Sequence, residues 1–427
     1  MHICIYEDSG CNNLLPMIYM RPVYDLFCGV VSLQEKLIRN FPKASITLHT
    51  RSVLENVVRD RYPDCLVNDF PEELKEIVFI NGRTLLNSET VLNKLGKNQS
   101  FTINNKVVAA RLSGDQLSTL IKKVQNGITF DLDEITIEKQ KIDGVLVEYI
   151  WDLIQANSDQ IRSDFTFATE GRVGSVIDDG TVIQDQNVFI DKTAKIFPQV
   201  IVDGSNGPVF IDRNAVIQPH VYIQGPVYIG PSVLIKAGAQ IYSGSSIAEG
   251  CKIGGEVNNS IILAYSNKAH NGYLGSSYVG SWVNIGAGTN NSNLKNNYGT
   301  VKLTVNGEVI DTGLQFMGLI MGDHSKCGIN TTFNTGTTVG INCNLYGSAI
   351  HKRHISSFTW GSAVDDYTTY KLDKALAVNN TVMSRRQQNL SKYEKELLEN
   401  IFPVSYTHLR AHETEADLVF RLLLEKK

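Results

Sequence analysis

Ile211, Ile217, Ile223, Ile229, Ile235, Ile241, Ile247 and Ile253 stand at an unbroken spacing of six residues. A six-residue period fits neither an α-helix, whose apolar face returns every three or four residues, nor a strand alternating between two faces. It fits a solenoid of short straight segments, each pointing one aliphatic side chain inward and each followed by a turn. β-Branched isoleucine suits such flat segments. Gly230, Gly238, Gly244, Gly250 and Gly254 supply corners that need unusual φ. Three segments close a triangular coil, and stacked coils bury a continuous column of side chains. The period extends upstream through Ile177/Ile183 and Ile190/Ile196 with a one-residue slip. Downstream it resumes at Val279 and Ile285, then at Met321, Cys327, Phe333, Val339 and Leu345. A parallel β-helix over residues 166–355 is the expectation.

Regular coils are packing, so breaks in the period are where chemistry is sought. Between Ile253 and Val279 the hexads lapse, and the chain reads Ser266-Asn267-Lys268-Ala269-His270-Asn271-Gly272-Tyr273-Leu274-Gly275. Val283-Asn284-Ile285-Gly286-Ala287-Gly288-Thr289 follows, then a polar excursion ending Asn296-Asn297-Tyr298-Gly299 and a second excursion over residues 300–313. These runs resemble the acetyltransferase half of the GlmU-like family, the bifunctional enzymes that make UDP-N-acetylglucosamine. The resemblance implies a left-handed coil, acetyl-CoA as the donor, and a homotrimer with its sites between adjacent β-helices. It implies His270 as general base, with Tyr273 and Asn284 contacting the sugar. Asn297, after a four-residue insertion, would sit near the transferred acyl group. Tyr298, Lys268 and Lys302 would be further substrate contacts.

The chemistry asks for the same kind of group. Acetyl transfer from a thioester needs an uncharged amine, and a base must take its proton as the nitrogen attacks. Imidazole titrates near neutrality and serves without extreme tuning, while an Asn side chain or main-chain N–H holds the developing oxyanion. One departure bears on the acceptor. Where the family grips the sugar phosphate with an Arg and a Lys, this chain has Gln240–Gly244 and Glu256–Asn259, without a cation. Either Lys236, Lys252 or Lys268 substitutes, or the acceptor is not glucosamine 1-phosphate. The expected acceptor is an amino sugar phosphate or a sugar nucleotide. Two alternatives stand beside acyl transfer: nucleotidyl transfer by the front of the chain, and a non-catalytic solenoid that binds sugar nucleotides.

Residues 1–165 carry no hexads. Apolar runs such as Ser45–Leu48 and Ile77–Ile80 alternate with helical patches such as Ser32–Asn40 and Gln116–Lys123, which reads as α/β with a mainly parallel sheet. Asn13–Leu26 and Trp151–Ile154 resemble a divergent sugar-nucleotidyltransferase family found fused to such β-helices. The family's G-x-G-T-R-M signature is absent, and only Asp8-Ser9-Gly10 and Arg21-Pro22 remain in the matching places. Where the family carries a metal-binding Asp, this chain has Asn81-Gly82-Arg83. A cation does not ligate magnesium, so Mg enters only if this domain is active. Arg21 and Arg83 are candidates for gripping phosphate, with surface solvation or an ion pair as the other reading.

The formal net charge is −4, which offers no basic face for nucleic acid or an anionic membrane. The seven cysteines are scattered, without a C-x-x-C pair, as in reduced cytoplasmic proteins. No apolar run of the ~18 residues a membrane span needs is present. Residues 356–403 are expected to leave the solenoid as a helical extension, with Tyr370–Ile401 at helical periodicity; Arg385-Arg386 reads first as a solvated charge pair, with contact to CoA phosphates as the other reading. The final stretch, 404–427, resembles a translated sequencing adapter. Its His408 and His412 are set aside with it, and the natural C-terminus is then expected to be missing.

Overall fold

The computed structural model describes residues 1–403 apart from 73, 87–91, 136, 175–179 and 186. The adapter-like stretch 404–427 and Ile177 lie outside the described residues. The chain divides into two compact units after Leu153, within a helix that runs Ile150–Thr169 and so also contains residue 165.

The first unit is built on a seven-stranded sheet. Leu66–Val67, Ser45–Leu48, His2–Tyr6 and Glu76–Asn81 are mutually parallel. Lys106–Ser113 pairs antiparallel with Glu76–Asn81 and with Gln99–Ile103. The helices form where the patterning put them, at Leu33–Ile38 and Asp115–Gln125. Ser32 caps the first in a reciprocal capping box with Glu35, which satisfies N–H groups that otherwise lack partners.

The second unit is a left-handed parallel β-helix. Its three faces are parallel sheets whose strands pair residue for residue from coil to coil, as in Ile217↔Ile235↔Ile253. All eight hexad isoleucines are fully buried in one continuous column. Each buried isoleucine contributes about 1.5–3 kcal/mol. Met321, Phe333, Val339 and Leu345 extend the column. The solenoid does not end at residue 355. His354–Ile355 and Thr359–Gly361 continue two faces, and Tyr367–Thr369 folds back antiparallel on the last strand. That returning strand covers an edge that would otherwise invite pairing. The expected long helix is two pieces, Leu372–Ser384 and residues 392–403.

Two departures from regularity matter. Residues 302–311 form a projecting antiparallel hairpin turned by Asn306-Gly307, both at positive φ, as a two-residue turn requires. The lapse in the hexads is a shortened coil. Ile241 pairs Val257, so the inward step from Ile253 to Val257 is four residues instead of six. At the next coil Ile253 pairs Lys268, placing a lysine at an inward position of the column.

Candidate active site

Lys268 is 3% exposed, and its ammonium donates to three carbonyls: Gly254 (2.9 Å), His270 (3.1 Å) and Gly272 (2.6 Å). A buried charge is tolerated only when its hydrogen bonds are satisfied. Burial lowers this lysine's pKa to about 8. It is thus not a substrate contact as expected from sequence, because all three of its N–H bonds are taken by main chain. Those carbonyls belong to the corner that carries His270. Gly272, at φ +126°, completes that corner; a Cβ there would strike the Thr289 carbonyl.

His270 is exposed at this corner, and its ring makes no hydrogen bond to the described residues. It lines a cavity of about 440 Å³ with Lys236, Gln218 and Asn271, over the short corner Gly254-Gly255. A second cavity, of about 620 Å³, lies on the adjoining face beneath the helix Leu372–Ser384. Ala269, the neighbour of His270, lines both. The second cavity presents Lys252, Lys326, Arg385 and Arg386, beside the rings of Tyr265 and Trp282 stacked 4.4 Å apart. No carboxylate lines it, and none of the four cations makes an ion pair among the described residues. Lys326 donates to the His324 carbonyl at 2.8 Å, and burial lowers its pKa to about 8. Such a groove suits a polyanion carrying a flat ring.

Strand register explains the groove. Lys252, Asn267, Asn284 and Lys326 are paired in successive coils, each directly before an inward residue. Asn284 therefore faces the cation-lined groove, and Arg386 donates to Asn267 at 3.3 Å. Tyr273 lies on the third face, at Tyr273–Gly275, half-buried. Its hydroxyl accepts a hydrogen bond from Asn293 Nδ2 (3.0 Å), which also donates to Ser276 (3.1 Å).

Asn297 is exposed and its side chain accepts from Gly299 N–H (3.1 Å), within its own turn. Tyr298 beside it is 66% exposed. Lys302 is exposed on the projecting hairpin, opposite Asp311. The asparagine joined to Tyr273 is Asn293, four residues after Thr289. Counting on from Thr289 without an insertion would have found it. Lys326 was also missed, although it occupies the position before an inward hexad residue, as Asn284 does.

In the first unit, Arg83 and Arg21 are both buried. Arg83 forms an ion pair with Asp8, with Nε 2.7 Å from Oδ1, and donates to the Val147 carbonyl. Asn81 holds the other Asp8 oxygen at 2.7 Å. Gly10 is small because the guanidinium lies against it; a Cβ there would collide with Arg83. Arg21 donates to the Met17 carbonyl (3.1 Å). Neither arginine is presented as a phosphate grip; both serve the interior. The adjacent cavity, about 200 Å³, is lined by Asp8, Asp131, Asp133 and Glu148 against Arg83 and Lys106. Asp8, the carboxylate nearest the strand end, is already neutralised by a fixed cation. Asp131 accepts from Ser9 and Asp133 pairs with Lys106, and among the described residues no three carboxylates converge as magnesium would need, so the donor set does not fit it.

Residues 3–173 match the family model described as sugar nucleotidyl transferase. A bifunctional sugar-1-phosphate nucleotidylyltransferase/acetyltransferase from Sulfurisphaera tokodaii is 32% identical over 187 residues, 43% of this chain and 46% of that protein. The chain thus spans about half the length of that relative. The bifunctional protein GlmU of Methanococcus aeolicus is 26% identical over 66% of this chain and 67% of its own length. An uncharacterized acetyltransferase YaiX from Escherichia coli is 31% identical over 40% of this chain and 75% of its own length. The chain belongs with the acetyltransferase YaiX in one family of transferases, and it joins to its β-helix a sugar-nucleotidyl-transferase unit of the kind that GlmU-like proteins carry.

Proposed function

We propose that the chain transfers an acyl group, acetyl in the first instance, from a CoA thioester to the amine of an amino sugar phosphate or sugar nucleotide. His270 is the general base. The reading is carried by one observation. Among the described residues, an exposed imidazole whose ring makes no hydrogen bond stands at a corner whose neighbouring residue opens onto a groove of four cations without an ion pair. The groove's charges suit the phosphates of CoA, and the Tyr265–Trp282 stack suits its base. His270 takes the proton as the amine nitrogen bonds to the thioester carbon. The carbon–sulfur bond then breaks, and the imidazolium returns the proton to the leaving thiolate. Asn293 steadies the Tyr273 hydroxyl, whose own proton remains available to a substrate oxygen. The assembly is read as a cytoplasmic homotrimer.

Thiol release from acetyl-CoA, screened against amino sugars, their 1-phosphates and their nucleotide conjugates, tests the reaction and names the acceptor. His270→Ala lowers release by about 10²-fold or more while the far-ultraviolet circular dichroism is retained; undiminished turnover rejects the role. The family match favours a second activity in the first unit, nucleotidyl transfer. The Asp8–Arg83 pair opposes it, and no magnesium-dependent pyrophosphate release from UTP and a sugar phosphate is expected.

A further inference from the structure

Resting on the reading of His270 as the base, we infer that Lys268 is a positioning residue that holds the His270 corner in its working shape from inside the coil. The cause lies in the short coil beneath. Ordinary corners are tied by main-chain ladders, as where Gly238 N–H bonds the Pro219 carbonyl. Two residues are missing between Ile253 and Val257, so the corner above overhangs. The Gly288 N–H goes to the Asn271 carbonyl, one position later than in the ordinary corner. The His270 carbonyl accepts from Lys268 Nζ in place of a ladder N–H.

A lysine at an inward hexad position is costly unless the column needs it. Here it spans from the column to the carbonyls on either side of Asn271 and to Gly254 below. An aliphatic residue would fill the column equally well and leave the His270 carbonyl without this hydrogen bond. The charged group set against Lys268 is Glu256, on the neighbouring strand Glu256–Asn258; His270 shares its corner. Lys326 titrates in the same range but faces the donor groove.

The test is Lys268→Met, which preserves an unbranched apolar filler, with Lys268→Gln as a partner that retains two N–H donors. At saturating acetyl-CoA, kcat falls about tenfold or more in Lys268→Met, since small misplacements of a base are expensive. The KM for acetyl-CoA is unchanged, and Lys268→Gln is intermediate. Wild-type kcat declines as pH rises through about 8, and both variants lack that limb. Selectively 13C-labelled His270 carbonyl gives a readout independent of turnover. Its resonance titrates near the same pH in wild type and is shifted and static in Lys268→Met. An unmoved resonance, or kcat unchanged in Lys268→Met, overturns the inference. Loss of the β-sheet signal in both variants also overturns it, assigning Lys268 to folding. A wild-type chain that acetylates no amino sugar while the resonance titrates as expected fails the proposed function instead.

Discussion

Cations stand in opposite company at the strand end of the first unit and in the groove on the coil face of the second. In the first, Arg83 is matched by Asp8 and locked by Asn81 and the Val147 carbonyl, so its charge is spent on the fold. On the coil face, Lys252, Lys326, Arg385 and Arg386 have no carboxylate among them. Unpaired positive charge gathered in one groove is unfavourable to the folded chain by itself. Its retention marks a place where a negative partner arrives from outside. A charge count finds both regions equally; only pairing separates an interior support from a binding surface.

The largest expected effect that sharpens this contrast is at His270. His270→Ala lowers turnover by about 10²–10⁴-fold while acetyl-CoA still binds, as measured by thiol release and calorimetry. Next comes Arg83→Met, which leaves Asp8 buried and unpaired at a cost of about 3–5 kcal/mol in urea unfolding of the first unit. Acetyl-CoA affinity should not follow it; a matching loss of affinity would break the comparison. Lys326→Met with Arg386→Met removes two charge-assisted contacts of about 1.5–3 kcal/mol each. Acetyl-CoA binding weakens accordingly, and its salt dependence becomes shallower. Asn293→Ala should reduce kcat more than Asn297→Ala, because Asn293 holds Tyr273 and Asn297 holds its own turn.

The smallest effect is with pH. Burial depresses Lys326 to about 8, so acetyl-CoA affinity declines as pH rises through that value. The stability contribution runs the other way. The unfolded lysine keeps its proton to the ordinary value of 10.5, so the unfolded state binds more protons between about 8 and 10.5. Stability contributed by this group therefore increases across the window where affinity falls. Affinity and stability declining together would refute the assignment.

The isoleucine hexads alone carried the solenoid, because a side chain pointing inward once per segment has no other periodic home. The same spacing made the places of Lys252, Asn284 and Lys326 on one face legible in principle, as each precedes an inward hexad residue. The lapse at residues 254–278 was also visible, and it led to His270. What the period did not convey is that the lapse is a shortened coil with a lysine inside it. A lysine between Asn267 and Ala269 reads as a surface residue until strand register puts it opposite Ile253.

Sequence by itself thus determined the repeating fold, the α/β unit before it and the stretch where the repeat lapses, since these follow from local period and residue type; the family resemblance of that stretch pointed to the imidazole. Tertiary structure alone decided which charges are free. Arg83 and Arg386 are the same residue type, and only the chain's return brings Asp8 to one and leaves the other facing an open groove. The assignment of Asn293 and the inward turn of Lys268 belong to the same class. Each depends on contacts between coils, and a hydrogen bond across a coil is not encoded in the spacing along one.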